Sequence, residues 1–211
     1  MLRFENLCKR FGAHVVFQGL HHASDAGCVM LNDESGTGKS TLLGILAGTI
    51  DADQGEVWIR GHSLSTSPAN AKSALAYMPD DCMTYPLLTG RAFLEQVAST
   101  RKTTVDARTL DLARRYGLDP HLDKRFEQMS LGTRKKVFLS AIALGAPSVV
   151  IADEPDTGLD ASSRAVLADQ FKSLSDRCTV FFSSYDEALA RACGARTVSF
   201  ASLGVRPESA R

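Results

Sequence analysis

The sequence lacks the features that mark membrane-spanning and nucleic-acid-binding proteins. It contains no apolar run approaching the roughly 20 residues that a membrane-spanning helix requires. Its 24 Lys and Arg residues equal its 24 Asp and Glu residues, and no basic block is present. We therefore expect no membrane span and no nucleic-acid partner, because phosphate backbones are bound by clustered positive charge. The zero net charge leaves little repulsion between copies, which indicates a subunit.

Cysteine and histidine are also sparse. The five cysteines are scattered and form no C-x-x-C pair, which favours reduced thiols in the cytoplasm over a disulfide framework or a zinc site. The five histidines include none after His121. The neighbours His21 and His22 would face opposite sides of a strand, so we do not expect them to share a metal ion.

What the sequence does contain is typical of one globular α/β domain. Hydrophobic residues make up 44% and charged residues 23% of the 211 positions, enough to bury a core. Short apolar runs alternate with amphipathic segments and glycine-marked turns. Strands are predicted at 2–8, 15–20, 28–31, 55–61, 73–78, 148–152, 178–182 and 196–200, with helical segments at 41–48, 87–144 and 162–174 and a polar tail. In the long helical region the predicted core positions are Phe93, Val97, Leu110, Leu112, Ala113, Val137, Leu139 and Ala143.

The strongest signal is a glycine-rich turn between a buried strand and a helix. Successive backbone N–H groups of such a turn can wrap a phosphate, Lys39 can reach the β- and γ-phosphates, and the Ser40 hydroxyl can ligate Mg²⁺. The full motif has glycine where this chain has Asp33, but aspartate tolerates positive φ, so the turn can still form. Because like charges repel, we expect the Asp33 and Glu34 carboxylates to point away from the phosphates. The predicted nucleotide-binding segment is Asp33, Glu34, Ser35, Gly36, Thr37, Gly38, Lys39, Ser40 and Thr41.

A second signal is an acidic pair at the end of the apolar run 149–152. The carboxyl edge of a parallel sheet is where ligands of α/β proteins bind. Asp153 is placed to hold Mg²⁺ through water, and Glu154 to orient or deprotonate an attacking water. A solvated pair of charges is the alternative, but the segment Pro155–Asp160 follows immediately and reads as a further motif.

These motifs together resemble the nucleotide-binding domain of ATP-binding-cassette (ABC) transporters, in the family's order from Leu2 to about Phe200. The family's signature, usually LSGGQ, is similar to residues 129–135 here. The resemblance implies that Ser130 and Gly132 contact the γ-phosphate bound to the opposite subunit of a head-to-tail dimer, an interface that would include Asp160. It also implies that Phe11 stacks on adenine.

The same resemblance implies the architecture. We expect an α/β fold, a P-loop NTPase (RecA-like) parallel-sheet core with an N-terminal antiparallel β subdomain and an inserted α-helical subdomain. The chain would be a single ABC ATPase domain, 1–211. Residues 1–81 and 138–211 would form the nucleotide-binding core, and 82–137 the helical signature subdomain.

Three departures from the family pattern bear on mechanism. Asp80 stands where the family has a glutamine that contacts Mg²⁺ and water; a carboxylate can accept from metal-bound water but cannot donate as an amide does. Leu131 replaces the first signature glycine and should limit the approach of the backbone to phosphate unless its side chain points away. Tyr185 stands where the family has a histidine; it can donate a hydrogen bond to a phosphate oxygen but stays neutral. We therefore predict slowed hydrolysis with nucleotide binding preserved.

The sequence thus predicts a Mg²⁺-dependent ATPase subunit that binds ATP and powers a separate permease. The segment 85–91 resembles family members that serve exporters. The subunit would form a homodimer, or a heterodimer with a similar cassette, on the inner face of the cell membrane, reaching the membrane only through the permease. The alternative is a nucleotide-gated regulatory or assembly subunit with strongly impaired hydrolysis. A soluble ABC protein acting on ribosomes or chromosomes is disfavoured by the neutral charge and the absence of long inserts.

Overall fold

The computed structural model describes residues 1–83 and 85–204 of the chain. Its strands and helices alternate as an α/β protein requires. The strands are β1 (Leu2–Phe11), β2 (His14–Ser24), β3 (Gly27–Leu31), β4 (Gln54–Ile59), β5 (His62–Ser63), β6 (Leu75–Met78), β7 (Val149–Ala152), β8 (Thr179–Ser183) and β9 (Arg196–Val198). The helices are α1 (Lys39–Leu46), α2 (Pro68–Ser73), α3 (Gly90–Thr100), α4 (Ala107–Arg115), α5 (Leu131–Ile142), α6 (Ala161–Ser175), α7 (Glu187–Cys193) and α8 (Phe200–Leu203).

The strands form two sheets. The first is antiparallel, with the strand order β2-β1-β4-β5. The second has five parallel strands in the order β6-β7-β8-β3-β9. The residues of β7 and β8 are all buried, which explains their continuous apolar sequence: both faces of a parallel sheet are covered. Both predicted sheets are therefore present, and the carboxyl ends of β3, β6, β7 and β8 lie along one edge.

Two hydrophobic cores cover the faces of the parallel sheet. Alternate residues of β3 enter different cores: Val29 and Leu31 pack with α1 and the antiparallel sheet, whereas Met30 packs with α5 and α6. This alternation follows from the two-residue period of a strand. The helix α1 is thus sandwiched between the two sheets, and the loop that precedes it is fixed by buried structure on both sides.

The helical lobe consists of α3, α4 and the first part of α5. An aromatic cluster joins them: the rings of Phe93 and Phe138 lie 4.5 Å apart, and Phe126 contacts both edge-on. The helix α5 continues to Ile142, across the predicted subdomain limit at residue 137. It therefore connects the lobe to the parallel sheet, since its later residues pack in the same core as β7 and β8.

Several predictions of burial and of helix and strand bounds are wrong. Leu110, predicted to be buried, is exposed, because α4 turns that position to solvent. The predicted helix at 41–48 begins earlier, at Lys39, and the predicted strand at 73–78 is preceded by the unpredicted helix α2. The last predicted strand ends at Val198, and residues 200–203 form α8. Most of the predicted polar tail lies outside the described residues.

All five cysteines are free thiols in the structure. The Sγ atoms of Cys28 and Cys193 lie 3.7 Å apart without a bond between them. Within residues 1–83 and 85–204, no helix has the length and apolar character needed to cross a membrane.

Candidate functional site

The glycine-rich turn after β3 has the geometry of a phosphate-binding loop. Gly36 and Gly38 have φ of 78° and 98°, values that glycine adopts without strain. A Cβ at Gly38 would lie 2.3 Å from Val16 Cγ1, so only glycine fits at this point. Thr37 Oγ1 donates to the Glu34 carbonyl at 2.8 Å and closes the turn. The α1 amino terminus follows at once, with its unpaired N–H groups and positive dipole end facing the loop.

Lys39 is buried inside this loop, with 5% of its surface exposed. Its ammonium donates to the carbonyl oxygens of Asp33 at 2.7 Å and Glu34 at 2.8 Å. It also donates to the Tyr185 hydroxyl at 2.7 Å and lies 4.2 Å from the centroid of that ring. The structure therefore brings two sequence-predicted residues, Lys39 and Tyr185, into direct contact. All three ammonium donors have acceptors.

The side chain of Asp33 is directed away from Lys39, although its carbonyl oxygen accepts from the ammonium. Asp33 Oδ2 accepts a hydrogen bond from the backbone N–H of Phe200, at the start of α8. This contact agrees with the expectation that the Asp33 carboxylate turns from the phosphates. The φ of Asp33 is not positive, so the expectation that aspartate must tolerate positive φ at this position is wrong. Glu34 is exposed.

Asp153 and Glu154 follow β7 at the same edge of the sheet. Asp153 is 2% exposed, and its Oδ1 accepts from Ser183 Oγ at 2.7 Å. The same Ser183 hydroxyl accepts from the Glu154 N–H at 2.9 Å. Burial, with a contribution from the Asp153 charge, raises the pKa of nearby Tyr77 to about 12. Ser183 was not predicted as a site residue. The available signal was its position, as a polar residue that ends an otherwise apolar strand.

The backbone of Glu154 is strained. Its φ is 43°, a left-handed conformation that side-chain-bearing residues rarely adopt and that costs of order 1–3 kcal/mol. Its carbonyl oxygen accepts from Lys135 Nζ at 2.5 Å and from the Thr157 N–H at 3.2 Å. Its carboxylate accepts from Thr157 Oγ1 at 3.1 Å. Held backbone strain of this kind is typical of functional positions.

Asp80 lies just beyond the end of β6, next to β7. Its side chain is 52% exposed, and Oδ1 accepts from Lys135 Nζ at 2.8 Å. Lys135, on α5, is completely buried. The motif at residues 129–135 includes Lys135 but assigns it no role; its sequence signal is a lysine on an otherwise apolar face of a helix.

The signature residues Ser130 and Gly132 lie at the start of α5. The Ser130 hydroxyl caps the helix by accepting from the Thr133 N–H at 3.2 Å. A Cβ at Gly132 would lie 2.3 Å from the Gly158 carbonyl oxygen, so the helix touches the loop after β7. Among the described residues, neither Ser130 nor Gly132 is hydrogen-bonded to the phosphate loop of its own chain.

The loop after β7 is tied to the same helix at a second place. Lys136 Nζ donates to Asp160 Oδ2 at 2.8 Å, and Asp160 Oδ1 caps α6 through the Ser163 N–H. The hydrogen bond from Lys136, with those from Ser162 and Ser163, holds the pKa of Asp160 well below its usual range. Asp160 is therefore a negative charge held in place by these hydrogen bonds; the family resemblance implies that it lies at the dimer interface.

Phe11, the predicted adenine-stacking residue, ends β1 and is 54% exposed, with Lys9 Nζ 5.1 Å from its ring centroid. A cavity of about 570 Å³ opens beside the phosphate loop, lined by Val15, Val16, Gly36 and Thr37 among others. Phe11 does not line this cavity. Val16 was not predicted as a site residue, but it packs on Gly38 and lies closer to the loop than Phe11 does.

The oxygen donors of the site fit Mg²⁺. Ser40 follows Lys39 in the first turn of α1, and the carboxylates of Asp153 and Asp80 end neighbouring strands. Mg²⁺ usually takes one or two carboxylates and completes its shell with phosphate and water. No group of three or more His, Cys, Asp or Glu side chains able to hold a metal occurs in residues 1–83 and 85–204. This donor set fits a metal that arrives with a phosphate ligand.

A parallel sheet with a glycine-rich loop after β3 and an acidic pair after β7 defines a P-loop α/β protein. Residues 24–157 match the profile of the family described as ABC transporter. Because this match covers more than half of the chain, the chain belongs to the ABC transporter family. The resemblance stated from the motifs is thereby confirmed.

Curated relatives are similar over most of this chain. It is 25% identical over 190 residues to the linearmycin resistance ATP-binding protein LnrL of Bacillus subtilis, covering 88% of this chain and 61% of LnrL. It is 28% identical over 177 residues to the uncharacterized ABC transporter ATP-binding protein YdbJ of the same organism, covering 83% of this chain and 58% of YdbJ. The chain thus spans about 60% of the length of these relatives.

Solved structures confirm the fold. An ATP-binding subunit of an ABC transporter superposes with a TM-score of 0.83 at 24% identity, covering 94% of this chain and 85% of the other. A dimeric ATP-binding cassette in a post-hydrolysis state bound to ADP and Pi superposes with a TM-score of 0.82 at 20% identity, covering 94% of each chain. The predicted P-loop NTPase architecture is therefore correct.

Proposed function

We propose that this chain is the ATP-binding and ATP-hydrolysing subunit of an ABC transporter, dependent on Mg²⁺ and coupled to a separate permease. The observation that carries this proposal is the placement of Lys39 in a closed glycine-rich loop at the same sheet edge as Asp153 and Glu154. Phosphate binding and water activation require these groups at one edge. The names of the relatives, ATP-binding proteins and an ATP-binding subunit, support the same assignment.

Nucleotide binding would use the backbone N–H groups of 36–40 and the Lys39 ammonium on the phosphates. The exposed Phe11 would stack on adenine. Ser40, Asp153 and Asp80 would hold Mg²⁺, which supplies charge neutralisation at the phosphate oxygens when bound. Asp33 and Glu34 keep their carboxylates from the phosphates in this proposal, in agreement with the Asp33 contact to Phe200.

Hydrolysis would rest on Glu154 as the group that orients or deprotonates water. Its backbone is fixed by Ser183, Lys135 and Thr157, which preorganises the carboxylate. With nucleotide bound, a phosphate oxygen would replace the Tyr185 hydroxyl as an acceptor of Lys39, and the released hydroxyl would donate its hydrogen to the γ-phosphate. A neutral phenol stabilises developing negative charge less than a cation does, which is the reason to expect slow turnover.

The transporter role would be carried out in an assembly. Ser130 and Gly132 would contact the γ-phosphate bound to a second cassette, either a second copy or a similar chain. The resemblance of residues 85–91 to exporter-serving members supports an export direction. The subunit would lie in the cytoplasm on the inner face of the membrane and reach it through the permease.

One observation favours a second candidate, a nucleotide-gated regulatory or assembly subunit with strongly impaired hydrolysis. Tyr185 occupies one of the three donors of Lys39, a position that in the leading proposal belongs to a phosphate oxygen. If this contact persists with nucleotide bound, Lys39 would be less available to the γ-phosphate.

Substitution of the candidate base distinguishes the two functions. In the ATPase, Glu154→Gln should lower steady-state phosphate release about a hundredfold or more, because general-base catalysis contributes about 10²–10⁴-fold, while ATP stays bound. Phosphate release and equilibrium ATP binding would be measured on purified protein. Glu127→Gln, an exposed carboxylate of the helical lobe, is the matched control. Equal, barely detectable phosphate release in wild type and Glu154→Gln, with ATP binding intact, would favour the regulatory subunit.

A further inference from the structure

The most unusual buried group outside the phosphate loop is the side chain of Lys135. It is fully buried, among the largest side chains in the chain with no exposure. Burying an ammonium is unfavourable unless strong acceptors surround it, and a lysine in this state is retained only where its contacts are made with good geometry. Its two acceptors are the Asp80 carboxylate at 2.8 Å and the Glu154 carbonyl oxygen at 2.5 Å.

The two acceptor residues follow different strands of the parallel sheet. Asp80 follows β6, and Glu154 follows β7, its parallel neighbour in the register Met78↔Ala152. Lys135 itself lies one turn into α5, in the helix that the signature residues begin. A single ammonium therefore joins the signature helix, the segment after β6 and the backbone of the candidate general base.

The hydrogen bond from Lys135 stabilises a strained backbone conformation. Glu154 has φ of 43°, and both of its backbone polar groups are hydrogen-bonded: Ser183 accepts from the N–H, and Lys135 donates to the carbonyl. The Thr157 N–H also donates to this carbonyl, at a longer 3.2 Å. A charged donor makes the stronger hydrogen bond, so Lys135 contributes more to holding the carbonyl than Thr157 does.

We propose that Lys135 is a positioning residue for Glu154: its ammonium holds the strained Glu154 peptide and links that peptide to Asp80. This inference rests on the proposed ATPase function, since Glu154 is the group whose position matters to turnover. Asp80 serves as the counter-ion that makes the buried ammonium tolerable. The ion pair thus transmits any displacement of the segment after β6 to the backbone of the base.

The central test is Lys135→Met, which keeps the length of the side chain and removes its charge. Because the half-exposed Asp80 can be solvated, the variant should fold. We expect kcat for ATP hydrolysis to fall about tenfold or more with KM for ATP within about twofold, since the lost interaction positions a catalytic group rather than the nucleotide. Lys124→Met, an exposed lysine of the helical lobe, is the control and should keep wild-type values.

A second readout is independent of catalysis. The Thr157 amide bonds to the Glu154 carbonyl, so its hydrogen exchange reports whether this turn is held. Lys135→Met should accelerate exchange at Thr157 about tenfold, and Lys124→Met should not, because only the first loses the donor at this turn. If Lys135→Met does not fold, the Asp80→Asn/Lys135→Met double variant takes its place and is compared with Asp80→Asn alone, because Asp80 is itself a proposed Mg²⁺ ligand. The same fall in kcat and the same acceleration of Thr157 exchange are then expected between these two variants.

The outcomes separate this inference from the proposed function. Wild-type kcat and wild-type Thr157 exchange in Lys135→Met would overturn the positioning role, as would a rise in KM that matches the loss in kcat. If wild type neither binds nor hydrolyses ATP, the proposed function fails, and exchange at Thr157 alone decides whether Lys135 holds the Glu154 turn.

Discussion

Among single residues, Tyr185 changes the chemistry of the site most. A histidine at this position could carry charge, whereas the tyrosine is neutral and its hydroxyl accepts a hydrogen bond from Lys39. A nucleotide phosphate must therefore replace or share this acceptor on an ammonium whose three donors are already used. The sequence predicted which residue stands here but not its contact with Lys39, because the two lie far apart in the chain.

Removal of the hydroxyl should strengthen nucleotide binding. Tyr185→Phe keeps the ring beneath Lys39 and deletes the competing acceptor, so we expect ADP to bind about fivefold more tightly, the equivalent of one hydrogen bond worth about 1 kcal/mol. Equilibrium titration of wild type and variant with ADP measures this. Weaker ADP binding in the variant would mean that the hydroxyl assists the nucleotide.

Replacement by histidine addresses turnover. Tyr185→His should raise steady-state phosphate release about tenfold, because an imidazole can stabilise developing charge that a phenol cannot. Phosphate release at saturating ATP is the measurement. Rapid release by the wild-type protein, with no gain in the variant, would contradict the predicted impairment.

At the scale of elements, α5 and the loop after β7 form one contact unit. Gly132 touches the Gly158 carbonyl, Lys135 the Glu154 carbonyl and Lys136 the Asp160 carboxylate. The signature helix therefore contacts its own acidic strand end along just over one turn. Residue types alone pointed to a signature motif, but this packing depends on where the helix crosses the sheet.

Gly132→Ala tests the tightness of this unit. Alanine normally stabilises a helix by about 0.5–1 kcal/mol relative to glycine. Here its Cβ would lie 2.3 Å from a backbone oxygen, so we expect a loss of about 1–3 kcal/mol in the free energy of unfolding. Urea unfolding measures the change. Gly204→Ala is the control, because its Cβ would meet its nearest neighbour at 3.6 Å and φ is negative; a stabilised Gly132→Ala protein would refute the close contact.

Elements whose sequence signal is local could be predicted, whereas short elements and contacts between distant residues could not. The buried strands β3, β7 and β8 were predictable because their apolar runs are continuous, and the phosphate loop because its glycines and lysine are consecutive. The short helices α2, α7 and α8 were not, since four to seven residues carry little periodicity. The roles of Ser183 and Lys135 were missed because each depends on contacts between distant segments.

At the scale of the whole molecule, the two sheets pack against each other around His22. Its ring stacks on Phe4 of the antiparallel sheet and contacts Phe181 of the parallel sheet edge-on, each at 5.5 Å. Burial, assisted by the charge of Arg196, lowers the pKa of His22 to about 4. The neutral imidazole is thus part of the core that holds the sheets together.

This burial predicts a pH-dependent stability. Between pH 6.5 and about 4 the unfolded chain binds a proton at His22 that the folded chain does not, so stability present above the unfolded pKa is lost as pH falls. The full effect is about 3 kcal/mol. His22→Phe should lose less unfolding free energy than wild type over this range, measured by urea unfolding at several pH values, with His62→Gln as an exposed control. Identical pH profiles would exclude the effect.

The strand order has a consequence for biosynthesis. The strand β3, which delivers the phosphate loop, lies between β8 and β9, the last two strands of the described chain. During translation the loop therefore leaves the ribosome before β8 and β9, and it lacks both neighbouring strands until they have emerged. Such non-local pairing is slow to form. The nascent chain would acquire its phosphate-binding loop only after β8 and β9 have emerged, so a product terminated before them would lack the loop's native geometry.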